Sequence, residues 1–491
     1  MNIPFKKILC LLVFCNLFMG VAGVSAFDNS GHQHNEVVLN THNEGSNDTV
    51  VINQEIEQNN GIVNNSSTTN NVGTFTELNE KIQEAIQNNQ EIVELDKDYQ
   101  YDKNTDNDLK KGISINNDIT LEGNGHSING SGEASAFKIG YNSVVIKDIF
   151  IVHSNENDGN GGAIYCDGTK LSIVNCQFEN NKANTCGGAI YSKNGCLNIF
   201  NSQFNQNSAN GAKVAQCEGG AIYCKDGLLN VVNSSFVGNY AYDFGGAIFT
   251  SSDITLSDCV FDNNSVSDND GGAIYCEGSI KSNNDNFTGN SAYEDGGAIF
   301  CRNNVYMNNS TLNSNFAKGA QFSNCEGGAI FCQDGVLDIN NSNFSWNEAY
   351  DYGGALWSNK DITLRNCYFN DNSIDETSGN GGGAIYMDDD YTLRSYNCTF
   401  TYNWAGYYGS GGAIYCDSRS AHVYLEDNNF IENECGSNKG SVVFNYGYFE
   451  KIHSNWWGTV NPNWDSGLLW EDTWYGHEIR HDDSPRMQPV G

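Results

Sequence analysis

A five-residue string, Gly-Gly-Ala-aliphatic-aromatic, returns ten times along the chain and leaves it few possible folds. It begins at Gly161, Gly187, Gly219, Gly245, Gly271, Gly296, Gly327, Gly353, Gly382 and Gly411, at intervals of 25 to 32 residues, and a degenerate copy starts at Gly440. A second marker keeps step with it: Phe178, Phe204, Phe236, Phe261, Phe287, Leu312, Phe344, Phe369, Phe400 and Phe430 are each followed three residues on by asparagine. Between the markers lie short alternating runs such as Leu171-Ser172-Ile173 and Ile362-Thr363-Leu364, the pattern of a strand buried on one face. A unit of this size with three short strands and Gly/Asn corners cannot close a core alone. Stacked copies can, because each strand then gains a parallel neighbour and all share one interior. Helical repeats would need long apolar runs at 3.6 spacing, and none occurs.

The predicted fold is therefore all-β, a single-stranded right-handed parallel β-helix whose variable interval is taken up by corner loops. Aligning the Phe marker from Ile151 to Trp456 predicts twelve coils, a rod of roughly 60 Å at the ~4.8 Å strand spacing. The stretch Cys217 to Ser265 resembles Cys325 to Ser373, a duplication offset by 108 residues, or four coils.

The ends read differently. Lys6 and Lys7, the apolar run Ile8 to Val21 and the small residues Val24-Ser25-Ala26 predict a secretory signal peptide over 1–26. No later segment is apolar enough to span a bilayer, so attachment to a cell is expected to be non-covalent or through a partner. Residues 27–73, rich in Asn, Ser and Thr, read as a disordered spacer. From Thr74, Phe75, Leu78, Ile82 and Ala85 or Ile86 recur at helical spacing, and Glu77 completes a capping box with Thr74. This predicts a helix over 75–87, too short to stand alone and placed to cap the open end of the β-helix, which spans 74–460. Residues 461–491 form a C-terminal cap and tail. Five of the eight tryptophans fall between Trp456 and Trp474, which suits a plug on the last coil or, alternatively, a sugar platform.

Charge narrows the partners. Sixty acidic residues against 25 basic give a net charge of −35, which excludes nucleic acid and anionic lipid and favours an extracellular, soluble surface. Of 17 cysteines, Cys10 and Cys15 lie in the leader. Ten of the other fifteen gather in two columns, Cys166, Cys224, Cys276, Cys301, Cys332 and Cys416, and Cys176, Cys259, Cys367 and Cys398. Buried thiols serving as small core residues are expected; disulfides along Cys276, Cys301 and Cys332 on consecutive coils are the alternative. No metal site and no cofactor are expected, because no Cys-x-x-Cys pair has a matching partner.

The fifth position of the string is always aromatic, and neighbours along a strand face opposite ways. Pairing the aliphatic residue with the mostly small sixth position makes the more compact interior, so the aromatic column is expected outward. Tyr165, Tyr191, Tyr223, Tyr275, Tyr386 and Tyr415 are then candidates for contact with glycans or cell-surface proteins. Rings covered by loops or turned into the core are the other reading. The asparagine after each Phe is expected to be a corner residue in an amide ladder.

The Gly-Gly-Ala-Ile and Phe-x-x-Asn pair resembles the repeats of polymorphic outer-membrane proteins and of adhesin-like β-helix proteins of methanogenic archaea. Ile119-Thr120-Leu121-Glu122-Gly123-Asn124-Gly125 and Asn455-Trp456-Trp457-Gly458 carry the archaeal part of the resemblance. It implies a pectate-lyase-like solenoid working as a secreted or cell-surface adhesin-like protein, with no enzymatic activity. The rival is a β-helix polysaccharide lyase or glycoside hydrolase, which needs grouped acidic residues with a basic residue or calcium. Asp388-Asp389-Asp390, or Asp243, Glu294 and Asp351 two positions before the glycine pair, are the available acids. Neither set is joined by arginine or histidine at a repeated place.

Overall fold

The computed structural model describes residues 72–458 apart from 141, 212–215, 320–324, 376–380 and 437–439, together with the backbone of 469–471. The expected leader, most of the expected spacer and most of the C-terminal tail lie outside the described residues.

The chain winds as a parallel β-solenoid of about fourteen turns with one short helix. Three parallel sheets of 14 strands run its length. The Gly-Gly-Ala sheet starts at Lys111–Ile115 and ends at Leu469–Glu471; a second sheet runs from Ile92–Glu94 to Tyr448–His453; the Phe sheet runs from Gly73–Thr74 to Asn429–Ile431. A fourth sheet of nine two-residue strands, Asn155–Glu156 to Ser373–Ile374, closes the coil between the Phe strand and the next Gly-Gly-Ala strand.

Two expectations are corrected here. The coil has four walls where three strands were predicted, because a two-residue strand carries no periodicity to read. The count of twelve coils is low because the first coils lack the marker: Tyr99 and Ile128 occupy the Phe column above Ile151. At the other end the register pairs Asn429 with Trp456, which places Trp457 below Phe430, and the two rings stack at 4.7 Å. The alignment on Trp456 was thus one residue early, a slip that exchanges inside for outside.

The core follows from the alternation. Ile164, Ile190 and Ile222 pair in register, their aliphatic successors continue the column, and the sixth-position cysteines lie on the same inward face. Phe178, Phe204 and Phe236 stack nearly parallel at 4.8 and 4.9 Å, fully buried. The glycine pair is obligatory for two different reasons. Gly187 sits at φ +68°, and a Cβ on Gly188 would lie 2.1 Å from the carbonyl oxygen of Gly220 on the next coil.

The corner asparagines form a ladder. From Asn181 through Asn207, Asn239, Asn264, Asn290, Asn315, Asn347, Asn372 and Asn403 to Asn433, each amide donates to the next Oδ1 at 2.7–3.0 Å, and nearly all are completely buried. A second ladder runs down the corner before the Phe strand. Cys176 and Ser202 donate their backbone N–H to Ser202 and Ser234, Cys259 donates to Asp285, and Cys398 to Asn428. The second cysteine column therefore occupies a polar corner. No disulfide joins any of the 15 described cysteines.

The helix forms where expected, Phe75–Gln87, with the capping box of Thr74 and Glu77 in place. It buries Phe75, Leu78, Ile82 and Ala85 in the same core as Ile113 and Ile128. Its N-terminus is also held from outside the helix: the Asp106 carboxylate accepts the backbone N–H groups of Phe75 and Thr76 at 3.1 and 3.0 Å. Asp106 was not anticipated, since it lies some thirty residues away.

Candidate binding surface

The aromatic column stands on the outer side of the Gly-Gly-Ala sheet, turned away from the core and stacked ring on ring. Tyr165, Tyr191, Tyr223, Phe249, Tyr275 and Phe300 follow one another at 4.6–5.2 Å within 12° of parallel. Outward does not mean exposed. In the middle coils the corner preceding the glycine pair folds back over the rings: Phe244 packs on Tyr275 at 4.7 Å and Tyr352 on Tyr386 at 4.5 Å. Tyr275 and Tyr386 are 4 % accessible and Tyr191 8 %, whereas Tyr165, Tyr223 and Tyr415 are half-buried. The six candidates thus lie in one column but do not form an open stripe.

At its N-terminal end the column runs out into a groove. In register above Tyr165 comes Lys138, and above that Ser114. A groove of about 850 Å³ lies here, lined among others by Lys111, Lys138, Asn142, Tyr165 and Asp167.

The covering corner itself carries a column the sequence reading missed. The residues directly before the glycine pair include Glu218, Asp270, Asp295 and Glu326, the last three on consecutive coils. Asp270 accepts the backbone N–H of Asp295, and Asp295 that of Glu326, both at 3.0 Å. Burial, reinforced by Glu294, pushes the Asp270 carboxyl up to about 7. Burial, with Asp388 and Asp351 nearby, pushes Glu326 up to about 8, and burial together with Asp270 and Glu326 raises Asp295 well above its ordinary value. Glu218, raised to about 7 by burial and then by Asp243, repeats the arrangement in the other copy of the duplication. The signal was present at one position before the glycines; attention to the position two before passed over it.

The acids considered for catalysis are mostly engaged in turns, though Asp351 and Asp388 both lie near Glu326. Asp243 accepts the backbone N–H of Cys217 at 2.7 Å, Asp388 that of Asp389 at 2.9 Å, and Asp390 bonds the Ser418 hydroxyl. Glu294 and Asp351 lie on the same covering corner, on separate coils. The sequence has no histidine between His153 and His422. Among the described residues no three His, Cys, Asp or Glu side chains are grouped to hold a metal ion, and no helix is long and apolar enough to cross a membrane.

The family model described as the Chlamydia polymorphic membrane protein repeat matches residues 175–193, 201–225, 258–277, 286–302 and 397–417. Each matched segment falls on the Phe strand, the asparagine corner or the Gly-Gly-Ala strand of a coil. Neither a curated protein nor a solved structure matches the chain.

Proposed function

We propose that the protein is an exported, surface-displayed adhesin-like protein that makes contacts with glycans or other surface proteins through the flank of its solenoid and performs no chemistry. The observation that carries this reading is the fit of five polymorphic membrane protein repeats onto the columns that build the wall, since such repeats mark surface-exposed proteins of adhesin type. The scattered engagement of the acids in turns supports the non-catalytic part. Net charge favours uncharged or cationic partners over polyanions.

The test is binding of the purified chain to a glycan array and to whole cells, with polysaccharide turnover followed in parallel. Binding without turnover is expected. Turnover of any polysaccharide would make the protein an enzyme, and absence of both would make it a passive coat.

A further inference from the structure

One corner column breaks its own rule. The residue just before each ladder asparagine turns the chain at positive φ, and most coils place there a residue that tolerates such a turn: Asn180, Gly238, Asn263, Gly289, Ser314 and Asp371. Of the other four coils, two carry Gln206 and Glu432 there, and two use bulky aromatics, Trp346 at φ +58° and Tyr402 at φ +57°. For such side chains this backbone is an outlier that folding alone would not select. Neither ring repays the strain by burial: Trp346 is 56 % accessible and Tyr402 49 %.

The two rings belong to one edge. Trp346 donates its backbone N–H to Asn370, Asp371 to Thr401 and Tyr402 to Ile431, so Trp346, Asp371, Tyr402 and Glu432 follow one another coil by coil. Ring, carboxylate, ring and carboxylate alternate, with the rings about 10 Å apart at two strand spacings. Glu432 lies close enough to the Tyr402 hydroxyl for its charge to be felt there. Tyr368, 39 % accessible, flanks the edge and is held by the Thr401 hydroxyl at 3.1 Å.

We infer that this edge binds an extended, neutral oligosaccharide. Each linked pyranose advances by a length close to one strand spacing, so rings on alternate coils meet the apolar faces of alternate sugars while the intervening carboxylates accept their hydroxyls. Carboxylates at this spacing, on a chain of net charge −35, repel glycans that carry acids. The inference rests on the adhesive reading above and gives it a ligand class and a place.

The test uses the full chain and calorimetric titration with cellohexaose, β-1,4-mannohexaose and, as the anionic control, hexagalacturonate. Trp346→Asn and Tyr402→Asn install a residue that other coils already carry at this turn, so the fold is kept and the midpoint of unfolding stays level or rises. Each change is expected to weaken binding of a neutral hexamer at least tenfold, and the pair to abolish it. Equal binding by the double variant, failure of both neutral hexamers to bind, or equal binding of hexagalacturonate overturns the inference. Cell attachment separates the two levels: a double variant that still attaches leaves the adhesive reading standing and removes this site, whereas a parent that does not attach removes the reading itself.

Discussion

The side-chain amide of Asn290 donates to Oδ1 of Asn315 at 3.0 Å, and the backbone N–H of Asn290 donates to the same oxygen at 3.1 Å. One oxygen thus ties together side chain and main chain of the coil above. The other amide hydrogen goes to the carbonyl of Phe261, back across the corner. Each rung therefore satisfies buried backbone groups that the turn would leave without partners.

Removing a rung should cost more than one hydrogen bond. Asn290→Ala leaves the backbone N–H and one amide hydrogen of Asn264 buried and unpaired and takes a donor from the carbonyl of Phe261. A loss of roughly 2–4 kcal/mol is expected in urea unfolding. Asn290→Asp, which removes the donors and adds a buried charge, should cost more at pH 7.

The aromatic column should behave as a packed layer in its middle and as surface at its end. Tyr275→Ser removes a ring held between Phe249 and Phe300 and should destabilise by about 3 kcal/mol. Tyr165→Ser, at the half-buried end, should cost about 1 kcal/mol or less. Thermal unfolding of the two variants checks the contrast.

The buried acids make stability fall as pH rises. In the folded chain Asp270 titrates near 7 and Glu326 near 8, above their values of about 4 in an unfolded chain, so between these limits the folded state holds protons that the unfolded state has released. Their contribution is least unfavourable below pH 4, worsens between about pH 4 and 8, and is constant above. Asp295→Asn keeps the oxygen that accepts from Glu326 and removes one charge from the column. It should raise the melting temperature by roughly 2 °C at pH 8 and leave it unchanged at pH 4.

Thiol reactivity should follow burial. Thirteen of the described cysteines are buried, and Cys196 and Cys435 are half-buried. Burial pushes Cys176, Cys224 and Cys259 up to about 12, well away from the reactive thiolate. Alkylation of the native chain at pH 8, read by peptide mass mapping, should therefore label Cys196 and Cys435 first and the rest only on unfolding.

The helix should act as a lid on the first coil. Replacing Phe75, Leu78 and Ile82 by serine exposes Ile113, Ile128 and the strand edges beneath them, and sedimentation should then show end-to-end association.

What could be read beforehand and what could not have distinct physical origins. The capping box, the asparagine ladder and the inward columns were legible because each depends on residue type at a fixed spacing. The covering of Tyr275 by Phe244 was not: alternation tells which side of a strand a residue faces, and says nothing of which corner folds over it. The first coils were missed because Tyr99 and Ile128 do the work of phenylalanine without its signature. Trp346 and Tyr402 stayed unseen because an aromatic residue at a left-handed turn contradicts the preference on which turn reading depends.

The duplicated halves have a consequence for the gene. Cys217 and Cys325 open copies four coils apart, and the strands at Ile222 and Ile330 present the same columns to their neighbours. A crossover between the two copies would excise or insert 108 residues and leave every ladder in register at the joint. The length of the solenoid can therefore be increased or reduced in one recombination step, in whole coils, without inventing a new packing interface.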